Sequence, residues 1–499
     1  MASSSIVLSM ISGWSLTPIT LLFVILALMF FFLSRKNNLP PGPLTLIPYI
    51  GFAPSVAYSL YKGERLNKFL MKLGNKYGQV YSFTVFGMPI VVLNEYQAIR
   101  EAYQDTKLND RGENELQAKM FSRTFNKWDD MAPYRIFALA CFRQFDIGTS
   151  RFEEPISKES AYLIEELVKF KGQPVELTWH VSNAVSNIIC KVVFGTRFEF
   201  ADERIHRLTD LLYRINILLG AGGLEIFIPI NIPSKAKQEL NKVVDELLAF
   251  INSMIESHRK NFNTDNLNDF IDLWLNEIRL HKSDDPNSFR NPDNMAGQIL
   301  LLFLGGTETS STTLRWGSQY LVRYPEVQGR IHREIDTVVG RNRLPKLDDK
   351  NNLPYTQAVI AELHRIISLV PLSAFHVAGD TTTFRGYTIP KNSVVISNLY
   401  AVMHSPELWA DPEEFRPDRF LDDEGNFHEP DEVIPFGIGR RVCLGEALAR
   451  QELFIFFTHL LHQFKFEKSS EDAPMPTLIP IDGVVTHPEP YKLRVTMRD

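Results

Sequence analysis

The chain has 499 residues, is 44% hydrophobic and carries a formal net charge of −6. This composition allows a substantial buried core in one domain or several, and because neither end carries a long basic block, we expect no nucleic acid among the partners. Its three cysteines are widely spaced and form no C-x-x-C pair, which argues against a disulfide framework and structural zinc and fits a reducing compartment.

The first predicted element is a membrane anchor. Residues 14–33 are almost purely apolar and, as a helix, span about 30 Å, the thickness of a bilayer core. Arg35 and Lys36 follow at once and no basic residue precedes the segment, so the positive-inside rule places the remainder in the cytosol. A cleaved signal peptide is the alternative, but it needs a basic start, a shorter apolar stretch and a small-residue cleavage site. We therefore predict an uncleaved single-pass anchor over residues 1–36.

A proline-rich linker follows at residues 37–43, and residues 44–499 show no repeat, low-complexity tract or composition break. Helical periodicity dominates this region, and strand patterns are fewer and shorter. The helices are predicted at 67–77, 158–170, 179–194, 236–261, 295–323, 355–369 and 447–464, and the two hairpins at 80–85 with 90–93 and 384–389 with 394–397. The fold class is therefore mainly α with small β-sheets.

The predicted helix 295–323 contains an unusual polar segment. Asn291 and Pro292 are suited to an N-cap and a first helical turn, and Pro325 ends the pattern. Inside it, Gly305-Gly-Thr-Glu308-Thr309-Ser consists largely of poor helix formers. A local opening that holds ligand or water is one interpretation, and a helix interface that uses small residues for close packing is the other.

The predicted helix 355–369 carries Glu362 and Arg365 three residues apart, so both lie on one face and can form an ion pair. Such pairs are usually solvated, but this helix is otherwise apolar. Arg419 follows in the run Phe-Arg-Pro-Asp-Arg-Phe.

The most specific motif is Phe436-Gly-Ile-Gly-Arg-Arg-Val-Cys443-Leu-Gly445, which leads into the last helix. A thiolate needs cations and backbone N–H groups to stay ionised, and glycines allow a flat macrocycle to approach the backbone. Cys443 is therefore a candidate haem ligand, and a small buried hydrophobic residue is the alternative.

The run fits F-x-x-G-x-R-x-C-x-G at every fixed position, and the chain resembles the cytochrome P-450 haem-thiolate enzymes. The resemblance extends from the anchor to the C-terminus and implies a helical triangular prism around one haem b. It also implies that Cys443 is the axial ligand, with Phe436, Gly437 and Gly445 beside the cofactor.

The resemblance assigns further roles. Glu308 and Thr309 supply protons for oxygen–oxygen cleavage, and Glu362, Arg365 and Arg419 form a buried structural cluster. The haem propionates are matched with three cations, Arg135, His376 and Arg441. The family often has Trp four residues before the first of these, whereas this chain has Met131.

The implied activity is monooxygenation of a lipophilic substrate, with electrons from NADPH through a flavoprotein reductase, and cytochrome b5 as a further partner. The implied location is the endoplasmic reticulum membrane, and the apolar, glycine-rich residues 218–230 resemble a lid that touches the bilayer. Two alternatives remain open: a haem-thiolate isomerase or dehydratase of hydroperoxides, and a haem-binding sensor or carrier.

Overall fold

The computed structural model describes residues 20–27, 38–43, 50–110, 131–221, 235–284 and 288–498, and it is mainly helical, as predicted. The labelled helices are α1 Ala53–Tyr61, α2 Leu66–Tyr77, α3 Tyr96–Gln104, α4 Met131–Gln144, α5 Glu153–Val168, α6 Thr178–Phe194, α7 Glu203–Ala221, α8 Lys235–Asn261, α9 Phe270–Leu280, α10 Met295–Arg323, α11 Pro325–Val338, α12 Pro354–Ile367, α13 Leu399–Met403 and α14 Glu446–Gln463. The strands are β1 Val80–Val85, β2 Met88–Leu93, β3 Pro174–Glu176, β4 His376–Val377, β5 Thr382–Phe384, β6 Tyr387–Ile389, β7 Val394–Ser397, β8 Phe464–Lys468, β9 Pro480–Ile481, β10 His487–Pro488 and β11 Lys492–Met497.

The chain divides into two compact units, residues 1–112 with 375–397 and residues 113–374 with 398–499. The smaller unit contains α1 to α3 and a four-stranded sheet in the order β1-β2-β7-β4. Strands β1 and β2 form the first predicted hairpin, β2 pairs with β7 in parallel, and β4 closes the sheet antiparallel to β7.

The second predicted hairpin is wrong in its pairing. Strand β5 pairs with β6 instead, so the predicted strand 384–389 contains the end of β5, the turn and β6. Arg385 and Gly386 form its turn with φ of 48° and 82°. Two central residues with positive φ are typical of a type I′ turn, which matches the twist of antiparallel strands. Strand β7 is therefore free to join the larger sheet.

The larger unit is built around α10, which packs against α6, α8 and α14. Most of α10 is buried, because its apolar and small polar residues face neighbours on nearly every side. Strand β11 pairs with β3 and β8, and β9 pairs with β10 in a separate two-stranded sheet. The hydrophobic core joins α5, α6, α8, α10, α12 and α14.

All the helices predicted from periodicity are present, and α10 has the predicted bounds. Helix α12 ends two residues earlier than predicted because Ser368 adopts a left-handed conformation with φ of 40°. A short 3₁₀ turn, Pro292–Asn294, precedes α10, and the Asn291 side chain caps this turn by accepting a hydrogen bond from the Asp293 backbone N–H.

Residues 20–27 are helical, and Leu21, Leu22 and Phe23 are 57–73% exposed. Within the described part of the chain, no helix has the length and apolar character needed to cross a membrane. The rest of the predicted anchor lies outside the described residues. Most of the predicted lid does too, since α7 ends at Ala221 and the description resumes at Lys235.

Candidate active site

The cysteine loop is held in a tight conformation by its own backbone. Gly437 and Gly439 have φ of 71° and 75°, in the left-handed region that favours glycine. The Cys443 N–H donates to the Phe436 carbonyl over 2.9 Å, and the Val442 N–H donates to the Gly439 carbonyl over 3.1 Å. The loop therefore places the cysteine just before α14, which begins at Glu446.

Cys443 is the exposed cysteine of the chain, whereas Cys141 and Cys190 are buried. Desolvation nevertheless raises the pKa of the Cys443 thiol, while the backbone N–H groups of Gly445 and Glu446 and the Arg135 guanidinium act to lower it. Burial raises the pKa of Cys141 to about 12, so that cysteine lacks the surroundings of a metal ligand.

Two of the three predicted propionate cations lie at the cysteine loop. Arg135 on α4 donates from Nη2 to the Val442 carbonyl over 2.6 Å. Burial lowers the pKa of the Arg135 guanidinium, Cys443 acts to raise it, and the nearby charge of Arg441 lowers it further. The Met131 side chain, where the sequence departs from the family pattern, is outside the described residues.

His376, the third predicted cation, belongs to the smaller unit, where it lies on β4. Its ring is buried and stacks on Tyr103 with centroids 4.2 Å apart. Its predicted role at a propionate stays a prediction.

Phe436 packs on the side of the loop that faces α12 and α14. Its ring meets His364 edge-on with centroids 5.4 Å apart, and the Arg450 guanidinium lies 4.9 Å from the ring centroid. These contacts fix the first residue of the motif, whose carbonyl in turn accepts from Cys443. Its effect on thiolate solvation stays a prediction.

The polar segment of α10 is a continuous helix, so the predicted local opening is absent. The Thr309 hydroxyl donates to the Gly305 carbonyl over 2.6 Å, which keeps the turn closed. The close-packing interpretation is correct for Gly306, because a Cβ there would lie 2.4 Å from Cδ1 of Ile189. At Gly305 a Cβ would meet nothing within 4 Å.

One face of α10 borders open space. Gly305 is exposed and Thr309 is partly exposed, one turn further along the same face. By contrast Phe303, two residues before Gly305, is fully buried and stacks on Phe194 with centroids 5.0 Å apart. The exposed face is therefore narrow and centred on Gly305 and Thr309.

Glu308, three residues after Gly305 and directly before Thr309, is buried. Burial raises the pKa of its carboxyl to about 7, although the nearby Arg315 guanidinium opposes the shift. Its Oε2 is 3.9 Å from Nε2 of His487 on β10. A carboxyl with a pKa near 7 holds a transferable proton at neutral pH, which suits a general acid.

Glu362, Arg365 and Arg419 form the predicted buried cluster. The Arg365 guanidinium makes two hydrogen bonds to the Glu362 carboxylate, at 2.6 and 2.8 Å, and both side chains are fully buried. Arg419 reaches Glu362 over 3.2 Å. The remaining Arg365 donors bind the carbonyls of Met403, Pro412 and Glu414.

A further buried carboxyl was not predicted from the sequence. Glu452 on α14 accepts a hydrogen bond from the Ser310 hydroxyl over 2.7 Å, and burial raises its pKa to about 8. A charged residue directly before the apolar run 453–457 was a usable signal. His487 carried no such signal, because it lies on a two-residue strand.

The residues at the loop fit a haem. An exposed sulfur, two adjacent guanidinium groups and glycines that leave open space at positions 437 and 445 supply a ligand, counter-charges and room for a flat group. Across residues 40–495, the chain matches the sequence model of the Cytochrome P450 family. The chain belongs to the cytochrome P450 family.

Related proteins agree with this assignment. Cytochrome P450 2G1 of Rattus norvegicus is 36% identical over 470 residues, which cover 92% of this chain and 94% of the relative. Cytochrome P450 2B2 of the same organism is 36% identical over 476 residues, covering 93% and 95%. Cytochrome P450 2A10 of Oryctolagus cuniculus is 34% identical over 481 residues, covering 93% and 94%.

Membership of this family establishes the reaction class. This cytochrome P450 is a haem-thiolate monooxygenase that inserts one oxygen atom from O₂ into a lipophilic organic substrate. Its electrons come from NADPH through a reductase.

Proposed function

We propose that Cys443 is the axial thiolate ligand and that Arg135, His376 and Arg441 bind the haem propionates. The observation that carries this proposal is the exposure of Cys443 beside Arg135, in contrast to the buried Cys141 and Cys190. When bound, haem with a thiolate ligand supplies dioxygen activation and the oxidation of a C–H bond. The remaining steps depend on this chain's own side chains.

Glu308 is the proton donor of the site, and Thr309 is the hydroxyl that receives protons at the exposed face of α10. Because its pKa is about 7, Glu308 is partly protonated at neutral pH and can both release and regain a proton. Thr309 uses its own hydrogen on the Gly305 carbonyl, so its oxygen lone pairs are available to accept one. The turns of α10 that follow, from Ser310 to Val322, are buried, which limits the entry of bulk water from that side.

The enzyme acts at the endoplasmic reticulum membrane, with residues 1–36 as its single-pass anchor and residues 44–499 as the catalytic domain on the cytosolic side. Exposed Leu21, Leu22 and Phe23 on the helical segment 20–27 support lipid contact, because such a surface is costly in water. A lipophilic substrate then enters from the bilayer. Cytochrome b5 joins the reductase as a second redox partner.

The ligand assignment is tested with three single variants, Cys443→Ala, Cys141→Ala and Cys190→Ala. Only the first removes the proposed ligand, so we expect it to abolish the reduced carbon monoxide absorption band of thiolate-ligated haem. The two buried cysteines act as matched controls and should retain the band. A Cys443→Ala protein that keeps the band would show that another residue binds iron.

Turnover tests the reaction itself. With purified reductase, we expect substrate-dependent NADPH oxidation and hydroxylated product. Rearrangement of a hydroperoxide without NADPH, in the absence of reductase-dependent product, would favour the isomerase alternative instead.

A further inference from the structure

His487 is a buried histidine positioned behind Glu308. Its Nε2 faces Oε2 of Glu308 at 3.9 Å, and its Nδ1 lies 3.3 Å from the Thr312 hydroxyl oxygen. Among the described residues, none forms a hydrogen bond with Nε2. The imidazole therefore has one nitrogen engaged with α10 and the other directed at the proposed proton donor.

The groups around this pair set its protonation. Tyr213 meets the His487 ring edge-on with centroids 5.1 Å apart. Burial and the Arg315 charge lower the pKa of His487 to about 3, so the imidazole is neutral at pH 7. Arg315 also interacts electrostatically with Glu176, a partly exposed residue on β3. This interaction extends the polar cluster towards the surface.

We infer that His487 is a positioning residue for proton delivery, which holds the Glu308 carboxyl and returns a proton to it after Glu308 has released one. This inference rests on the proposed role of Glu308. In the transfer, the N–H bond at Nε2 breaks and an O–H bond forms on Glu308. As this bond breaks, the Thr312 hydroxyl passes its proton to Nδ1 and receives a solvent proton (H₃O⁺, which becomes water) in its place, so one solvent proton is consumed for each proton bound by Glu308. The imidazole is neutral before and after, and no electrons are exchanged.

The neighbouring groups are poorly suited to this task. A guanidinium stays charged at all relevant pH values, so Arg315 can orient the carboxylate but does not donate to it. Burial raises the pKa of Tyr213, which keeps its phenol protonated. A neutral imidazole both accepts and donates, one function at each nitrogen.

The test compares His487→Phe, His487→Gln and Glu308→Gln as holoenzymes with equal content of thiolate-ligated haem. Glutamine keeps a hydrogen-bonding group near Nε2 but cannot pass a proton through, whereas phenylalanine removes both properties. His459→Gln is the matched control, because His459 is equally buried but is bound to Ser160 and the Pro345 carbonyl. The first readout is product formed per NADPH consumed with purified reductase.

We expect on the order of a tenfold loss of product per NADPH in both His487 variants, with the difference released as peroxide, and no loss in His459→Gln. The double variant Glu308→Gln with His487→Gln should couple no worse than Glu308→Gln alone, because both changes interrupt one path. The second readout needs no turnover. In infrared spectra of the resting protein, the C=O band absent from Glu308→Gln should shift in His487→Phe, which removes the polar group 3.9 Å from Oε2, and stay near its original position in His487→Gln.

Each contrary outcome has a distinct meaning. If His487→Gln couples as well as the original protein, holding the carboxyl is sufficient and proton return through the imidazole is wrong. If Glu308→Gln uncouples the reaction and neither His487 variant does, the inference fails while the proposed function stands. If Glu308→Gln itself couples normally, the proposed proton donor is wrong, and the inference falls with it. Additive losses in the double variant would place the two residues on separate paths.

Discussion

Two buried carboxyl groups have pKa values well above the ordinary value for glutamate. Glu308 and Glu452 lie on α10 and α14, and each is almost completely removed from solvent. Desolvation disfavours the charged form, so their pKa values rise to about 7 and about 8. Ser310 offsets part of this effect at Glu452 by donating to its Oε2, while Oε1 makes no hydrogen bond within the described residues.

Glu452 should therefore make stability fall as pH rises. Its folded-state pKa lies above the ordinary value of 4.5, so its contribution is complete below about pH 4.5 and is lost as pH rises through about 8. In Glu452→Gln this site no longer titrates. Between pH 5.5 and 7.5 we expect the unfolding free energy of the original protein to drop by about 2–3 kcal/mol more than that of the variant. Urea unfolding followed by tryptophan fluorescence measures this difference, and identical pH dependence in both proteins would refute it.

At the residue scale, motif spacing identified the candidate residues, but it did not predict how deeply their side chains are buried. Cys443 and Thr309 were identified from the sequence, and their exposure in the structure is consistent with contact to a ligand. The pKa of Glu308 was not predictable, because it depends on desolvation by surrounding elements and on Arg315.

At the scale of elements, α12 and the segment that follows α13 are joined by a buried charge cluster. Arg365 satisfies the Glu362 carboxylate and three backbone carbonyls, and Arg419 approaches the same carboxylate from 57 residues further along the chain. Because the Glu362 and Arg365 side chains are fully buried, their donors and acceptors depend on protein partners. The cluster thereby ties this irregular segment to α12.

Arg365→Leu should destabilise the protein strongly, because it leaves the Glu362 charge buried with fewer partners. Breaking such a pair typically costs about 3–5 kcal/mol of unfolding free energy. The matched control is Arg207→Leu, which removes an ion pair to Glu246 whose side chains are 49% and 46% exposed and should cost less than about 1 kcal/mol. Urea denaturation of both variants gives the comparison, and equal costs would show that burial of the cluster does not determine its contribution.

The helices were predicted more accurately from the sequence than the pairing of the strands. Long helices such as α8 and α10 have enough turns for periodicity to be unambiguous, and both were found close to their predicted bounds. Strand pairing was harder, because alternation marks a strand without naming its partner. The hairpin β5–β6 was missed since its turn lies inside what read as one continuous strand.

At the scale of the whole molecule, the distribution of apolar surface separates the N-terminal segment from the rest. Most large apolar side chains of the described chain are buried, whereas consecutive residues from Leu21 to Leu26 are 46–73% exposed. A run of this kind is stable in lipid and unfavourable in water. The proposed membrane attachment therefore belongs to a segment that the catalytic unit does not need for its own core.

Removal of residues 1–36 should convert the protein from an integral to a peripheral form. Without the apolar span, only surface contacts would hold it to the bilayer, and these do not resist alkaline carbonate. We expect the full chain to stay with the membrane fraction after a carbonate wash and the shortened chain to be released, both with the reduced carbon monoxide band. A shortened chain that resists the wash equally well would place the main anchor elsewhere.

The amino-acid sequence by itself determined the haem-thiolate motif, the mainly helical class and the residues of the acid–hydroxyl segment. These properties follow from short-range spacing, which is visible over a few turns of chain. Tertiary structure alone decided that Glu308 faces His487 and that Gly305 and Thr309 border open space. It also decided that Glu452 is buried beside Ser310. Burial, and the pKa changes that burial causes, depend on which distant segments of the chain pack together. Short-range sequence patterns do not predict that packing.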